Sequence, residues 1–195
     1  MLKKISCLAA LAFILHTGCS EGPVKPARQS PEPAPAPERI RLVISIADRQ
    51  LSVLRGRDTL RSYPVAVGQA EYPTPRGEFK IHQIDWNPDW TPPESDWTEN
   101  KEYTPPADPE NPMGKARIIY QMPYTIHGTK DLESLGGAES HGSIRMANRD
   151  VVELARLIME ESGSGKPAEW YSQVLADSAK MVSVKLRDSI PLTNK

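Results

Sequence analysis

The chain has 195 residues, with 24 Lys and Arg against 25 Asp and Glu, for a formal net charge of −1. That length holds one domain plus extras. The near-neutral balance, with no basic block after the first few residues, argues against a nucleic-acid partner. The 19 prolines are many for this length and fall in two clusters, each marking a break in regular structure.

Residues 1–19 read as an export signal. Lys3 and Lys4 precede a short apolar run from Leu8 to Leu15, too short to anchor stably across a bilayer. Gly18-Cys19 resembles the lipobox of bacterial lipoproteins, whose Cys becomes lipidated. His16 departs from it, standing where that motif favours an aliphatic residue. Cys19 is thus the expected lipidation site and membrane anchor. Ser20 follows it, and a residue other than Asp there goes with the outer membrane in Gram-negative lipoproteins. The other cysteine, Cys7, is lost with the signal. No disulfide and no thiol is therefore expected in the folded domain.

Residues 20–39 include PVKPARQSPEPAPAPE, which has no apolar periodicity. This composition favours an extended, partly polyproline II tether. At ~3.1 Å per residue it would reach roughly 50 Å.

From Ile40 the pattern becomes that of strands. Arg41 to Ile46 is β-rich, Leu51 to Leu54 alternates, and Leu60 to Val67 resumes before Gly68, with turns at Ala47–Gln50 and Arg55–Asp58. This is a β-meander. Thr74-Pro75-Arg76-Gly77-Glu78-Phe79 is a turn leading into a strand, since Pro75 sets φ and Gly77 permits a tight bend. His82, on that strand, reads as a surface or packed histidine. Residues 85–113 form the second proline cluster and contain Trp86, Trp90 and Trp97. A loop this long in a compact domain is usually functional, and it reads either as a lid or as a satellite hydrophobic cluster. Arg117 to Tyr120 is a further strand.

The stretch Tyr124–Asn148, YTIHGTKDLESLGGAESHGSIRMAN, carries the chemistry. Tyr-Thr-Ile leads as a strand to His127-Gly128. A loop with Gly136 and Gly137 then returns the chain to Ser140-His141-Gly142-Ser143. Such a loop can place an imidazole base beside a distant hydroxyl. Next, Asn148 is expected to cap a helix whose apolar face is Val151, Leu154, Ala155 and Ile158. Pro167 to Ala179 reads as a second helix, and Met181 to Leu186 as a closing strand. The sum is a mainly β, sandwich-like domain over residues 40–190 with one or two short helices.

The wording of residues 124–148 resembles the active-site signature of the L,D-transpeptidases, cysteine enzymes that cross-link bacterial peptidoglycan. The match runs through His127, Gly128, Ser140, His141, Gly142, Ile144 and Arg145, and it breaks where that family has its nucleophilic Cys and this chain has Ser143. The Thr-Pro-x-Gly-x-Phe string at Thr74 resembles the same family. So do Asn111-Pro112-Met113-Gly114 and the Trp-containing Thr-Pro-Pro segment, which are similar to periplasmic members working on the sacculus and lipoprotein attachment. The resemblance implies an L,D-transpeptidase-like β-sandwich in the bacterial cell envelope. It implies acyl transfer at meso-diaminopimelate of peptidoglycan tetrapeptide stems. Ser143 then takes the nucleophile position and His127 the base, held by a backbone carbonyl near Gly128. Gly142 and Ser143 supply oxyanion N–H groups. Ser140, His141 and Arg145 line the substrate pocket, Arg145 gripping a stem carboxylate.

The substitution leaves three readings open. Ser143 is a working nucleophile in an altered transpeptidase or in a Ser-dependent peptidoglycan hydrolase. Alternatively the domain binds stems with little turnover, or the Ser marks an engineered trapping variant. A Ser hydroxyl has no thiolate-like ionised fraction, so it depends wholly on its base. Zinc chemistry by His82, His127 and His141 finds no supporting spacing. No metal and no cofactor is expected.

Overall fold

Ile40, Leu42 and Ile44 are almost wholly shielded from solvent, while their neighbours along the chain are not. That period of two is what one-sided burial of a strand demands. The computed structural model describes residues 38–195. The export signal, Cys7, the Cys19 anchor and nearly all of the tether lie outside the described residues.

Among the described residues, ten strands and two α-helices follow in chain order. Strands β1 (Ile40–Ser45), β2 (Gln50–Arg55) and β3 (Asp58–Pro64) form the expected meander. β4 (Val67–Gly68) is short, and β5 spans Gly77–Trp86. β6 (Ala116–Gln121) and β7 (Tyr124–Thr129) are antiparallel, while β8 (Ala138–Ser140) and β9 (Ile144–Ala147) flank the Ser143 turn. α1 (Asn148–Glu161) and α2 (Ala168–Ala176) precede the last strand, β10 (Val182–Asn194).

Eight strands make one sheet in the order β3-β2-β1-β10-β5-β6-β7-β9, and β4 pairs with β8 in a second, two-stranded sheet. The large sheet curls back on itself. Just past β3, at one edge, Ala66 exchanges backbone hydrogen bonds with Arg145 of β9 at the other edge, both 3.0 Å. The result is a β-sandwich bent toward a barrel.

α1 buries Val151, Leu154, Ala155 and Ile158 against the concave side, joining Ile118, Ile126, Ile144 and Met146. Each of these side chains larger than Ala155, fully buried, stabilises the fold by about 2 kcal/mol. α1 stops at Gly163, whose φ of +71° turns the chain out while Ser164 N–H donates to Met159 O at 2.8 Å. Trp170 and Tyr171 of α2 pack on Trp86, with ring centroids 6.2 and 5.5 Å away.

Three readings of the sequence are corrected. Asp85 and Trp86 belong to β5, not to the proline-rich loop, and Trp86 is a core residue. Asn148 does not cap α1: Ala147 holds that place, and Asn148 Oδ1 accepts from Lys115 N–H at 2.8 Å. The closing strand does not end at Leu186 but runs to Asn194, pairing in parallel with β1.

Candidate active site

The pairing register assembles one row of polar side chains across five strands. Ser183 on β10 sits opposite Asp85 on β5, Asp85 opposite Arg117 on β6, Arg117 opposite His127 on β7, and His127 opposite Arg145 on β9. Ser143 precedes Arg145 by two residues. His127 and Arg145 occupy one face of this row, and Ser143 lies in the turn that leads into β9. That face is the one opposite α1.

His127 is buried, at 4% exposure. Its Nδ1 lies 2.9 Å from Gly128 O. A carbonyl can only accept, so Nδ1 carries the proton and Nε2 keeps its lone pair. Burial drives the imidazole pKa down to about 4, and the nearby positive charges of Arg145 and Arg117 push the same way; the backbone carbonyls of Gly128 and Pro112 oppose them. His127 is thus neutral at pH 7. The group behind it is a carbonyl, not a carboxylate: Asp131 instead faces Arg145, at 3.8 Å.

Gly128 allows a close approach on the other face. A Cβ there would come within 2.3 Å of Asn148 Oδ1 and 3.2 Å of Val151 Cγ1. The His-Gly pair thus serves both faces, with the imidazole on one and a side-chain-free contact with the start of α1 on the other.

The 140–143 turn is tied down at several points. Ser140 is buried; its Oγ accepts from Gly142 N–H at 3.1 Å and donates to Ser143 O at 2.5 Å. Gly142 has φ +99°, and a Cβ there would sit 2.6 Å from Tyr124 Cε1. Thr74 Oγ1 donates to Gly142 O at 3.0 Å and accepts from Gly68 N–H at 2.8 Å. The Thr-Pro-x-Gly string therefore braces the Ser143 turn across 68 residues of sequence. The sequence reading took the string as a turn and as part of the family resemblance, and nothing local in it signals the long-range bond. Ser143 is half-buried, and its Oγ accepts from Thr125 N–H at 3.1 Å.

His141 projects from this turn into an aromatic cluster. Its ring stacks on Trp97 at 3.9 Å and 16°, with Tyr72 tilted at 5.0 Å on another side. Trp90 stacks in turn on Trp97 at 6.3 Å. Partial burial lowers the His141 pKa, and the Arg145 and Lys101 charges add to it. Trp90 and Trp97 come from the proline-rich loop, so the loop is joined to the site through His141. Asn111 stitches that loop: its Nδ2 donates to Pro88 O at 2.9 Å and Pro105 O at 3.0 Å, and its Oδ1 accepts from Met113 N–H at 2.8 Å. His82 is apart from all of this, exposed on β5.

Arg117 and Asp85, which the sequence did not single out, flank the imidazole row. Arg117 Nε and Nη2 donate to Asp85 Oδ2 at 3.0 and 2.8 Å, and Ser183 Oγ donates to Asp85 Oδ1 at 2.7 Å. Among the described residues no group of three or more His, Cys, Asp or Glu is arranged to hold a metal ion.

A mainly β fold that sets a buried imidazole and an S-H-G-S turn on adjacent parallel strands has a counterpart among known proteins. A profile of the L,D-transpeptidase catalytic domain family, named YkuD, matches residues 39–169. The chain belongs to that family. It is 34% identical over 119 residues to a Bacillus licheniformis protein bearing the name L,D-transpeptidase YkuD, covering 60% of this chain and 59% of that one. It is 31% identical over 125 residues to the Escherichia coli protein named L,D-transpeptidase ErfK/SrfK, covering 59% of this chain and 40% of that one. The chain thus spans less than two thirds of the length of either relative. The fold is shared with an L,D-transpeptidase from Xylanimonas cellulosilytica at a TM-score of 0.50 and 12% identity, over 83% of this chain and 63% of that one.

Proposed function

We propose that the domain acts on peptidoglycan tetrapeptide stems by L,D-type acyl transfer, with Ser143 as nucleophile and His127 as base. What supports this reading is a neutral, Nδ1-protonated His127 on β7, with the Ser143 Oγ held by the N–H of Thr125 two residues earlier on the same strand. In the reaction, His127 Nε2 takes the Ser143 proton as Oγ attacks the meso-diaminopimelate carbonyl. The Ser143 N–H stabilises the oxyanion, because the Gly142 N–H is already held by Ser140 Oγ. The bond to D-Ala breaks, and His127 returns the proton to the leaving amine. An acceptor amine then attacks the ester, giving its proton to His127, and Ser143 Oγ is reprotonated as it leaves. Arg145, partly exposed and facing Asp131 at 3.8 Å, grips a stem carboxylate. Gly128, Ser140 and His141 shape the pocket.

One observation favours a second reading. Efficient Ser-His enzymes hold the imidazole with a buried carboxylate, and here a carbonyl stands in that place. On this reading the domain binds stems and turns over slowly or not at all. The test is D-Ala release from disaccharide-tetrapeptide by the chain, by Ser143→Cys and by His127→Ala. Release by the unaltered chain that His127→Ala abolishes supports acyl transfer. Release only after Ser143→Cys supports the binding domain. Absence of stem binding by every variant overturns both.

The same proposal places the protein in the bacterial envelope, exported by residues 1–19 and lipid-anchored in the periplasm through Cys19. Fatty-acid labelling of the chain, lost in Cys19→Ala, checks it.

A further inference from the structure

The Ser143 N–H makes no hydrogen bond among the described residues. Its direction is set by the atom behind it. The Gly142–Ser143 peptide is trans, so its C=O and N–H point opposite ways in one plane. Whatever holds Gly142 O therefore aims the Ser143 N–H. That plane is otherwise easy to turn over, because Gly142 has no Cβ to restrict its rotation.

Thr74 holds Gly142 O. It is buried, at 4% exposure, and its hydroxyl has a single proton. Oγ1 accepts from Gly68 N–H at 2.8 Å and gives its proton to Gly142 O at 3.0 Å. A carbonyl only accepts, so both roles of the hydroxyl are fixed. Its anchor is rigid. Gly68 belongs to β4, which pairs with β8 as far as Ser140, and Gln69 N–H donates to Ser140 O at 3.0 Å. A Cβ on Gly68 would lie 2.5 Å from Thr74 N, so the Thr74 segment rests directly on that strand. Ser140 in turn binds Gly142 N–H and Ser143 O. Ser140 thus clamps the groups on either side of the 142–143 peptide, and Thr74 clamps the peptide itself.

We propose that Thr74 is a positioning residue for the oxyanion donor. Its bond to Gly142 O turns the Ser143 N–H toward the carbon that Ser143 Oγ attacks, and it polarises that peptide so that the N–H donates more strongly. The proposal rests on the acyl-transfer reading of the site. It adds to that reading a residue that touches neither substrate nor the reacting atoms.

The test compares two probes on the full chain. One is a stem tripeptide whose diaminopimelate carbonyl is an aldehyde; the other is the matching amide. On the aldehyde, Ser143 Oγ adds to the carbon and gives its proton to His127, leaving the oxygen negative with no group expelled. The ratio of the two dissociation constants reads stabilisation of the tetrahedral adduct apart from ordinary binding. Thr74 variants are made in whichever of the chain and Ser143→Cys prefers the aldehyde. Thr74→Val is expected to cut the ratio at least about tenfold while amide binding stays within about twofold. Thr74→Ser, which keeps the hydroxyl, is expected to restore it. If Thr74→Val does not fold, Thr74→Cys, a weak donor of similar size, is expected to lower the ratio partway. An unchanged ratio in these variants, or an equal loss for both probes, overturns the positioning role alone. If neither the chain nor Ser143→Cys prefers the aldehyde, the acyl-transfer reading falls and this proposal falls with it.

Discussion

The Thr125 N–H donates to Ser143 Oγ at 3.1 Å, fixing the hydroxyl by a backbone donor rather than by a base. Thr125 precedes His127 by two residues on β7, so the strand that carries the imidazole also sets the rotamer of the hydroxyl. With that lone pair occupied, the hydroxyl keeps its own proton to donate. A neutral imidazole is what removal of a hydroxyl proton requires.

The buried neutral His127 makes stability depend on pH. Its folded pKa is about 4, against an ordinary value of 6.5. Below pH 6.5 the unfolded chain takes up a proton that the folded chain refuses. The contribution is therefore intact above about 6.5 and lost as pH falls toward 4, by about 3 kcal/mol in all. Urea midpoints at pH 7.5 and 5, compared between the chain and His127→Gln, should show a shallower fall in the variant. Any turnover by Ser143 should keep its acidic limb near pH 4.

Two glycines with positive φ separate backbone strain from steric conflict. Gly142 has φ +99° and Tyr124 Cε1 within 2.6 Å of a Cβ position; Gly136 has φ +83° and nothing within 4 Å. Gly136→Ala should cost only about 1 kcal/mol, the left-handed penalty alone. Gly142→Ala should cost about 2–4 kcal/mol, and it should abolish stem binding by displacing Ser143 from the Thr125 N–H. Denaturant midpoints and a binding titration on both variants check the contrast.

Elements with an unbroken apolar rhythm were legible in the sequence. Ile40, Leu42 and Ile44 gave β1, and Val151, Leu154 and Ile158 gave the buried face of α1. The second half of β10 was hidden because Arg187-Asp188-Ser189 interrupts the alternation at a register shift between Lys185 and Ile190. Trp86 was hidden because Asn87-Pro88 directly follows it and made the strand end look like loop. His127 and Ser143 stood out because their contacts are local to one motif. Asp85 and Arg117 did not, and the bond from Thr74 to Gly142 did not, because these partners lie 32 to 98 residues apart and depend on strand order.

Arg117 and Asp85 form the buried ion pair of this row, with side chains 13% and 2% exposed. Arg117→Met would leave the Asp85 carboxylate with Ser183 and Gln83 alone. The expected loss is about 3–5 kcal/mol. Adding Asp85→Leu should recover most of it, since no stranded charge then remains. Removing Arg117 also removes a positive neighbour of His127, so the imidazole pKa should rise in both variants. Urea denaturation and NMR titration of His127 read the two effects separately.

The Trp97–His141 stack gives the proline-rich loop a measurable hold on the site. Trp97 covers one face of the imidazole at 3.9 Å, and Tyr72 Oη donates to Asp96 Oδ1 at 2.7 Å next to it in sequence. Burial is the first cause of the lowered His141 pKa, so Trp97→Ala should raise that pKa toward its ordinary value. The lost stacking should cost about 0.5–1.5 kcal/mol, small beside the Arg117 effect because the loop keeps the Asn111 bonds. Tyr72→Phe should move the His141 pKa much less, because it frees Asp96 without uncovering the imidazole. If Trp97→Ala left the His141 titration unchanged while Tyr72→Phe shifted it, the loop would be held to the site by Asp96 rather than by the stack.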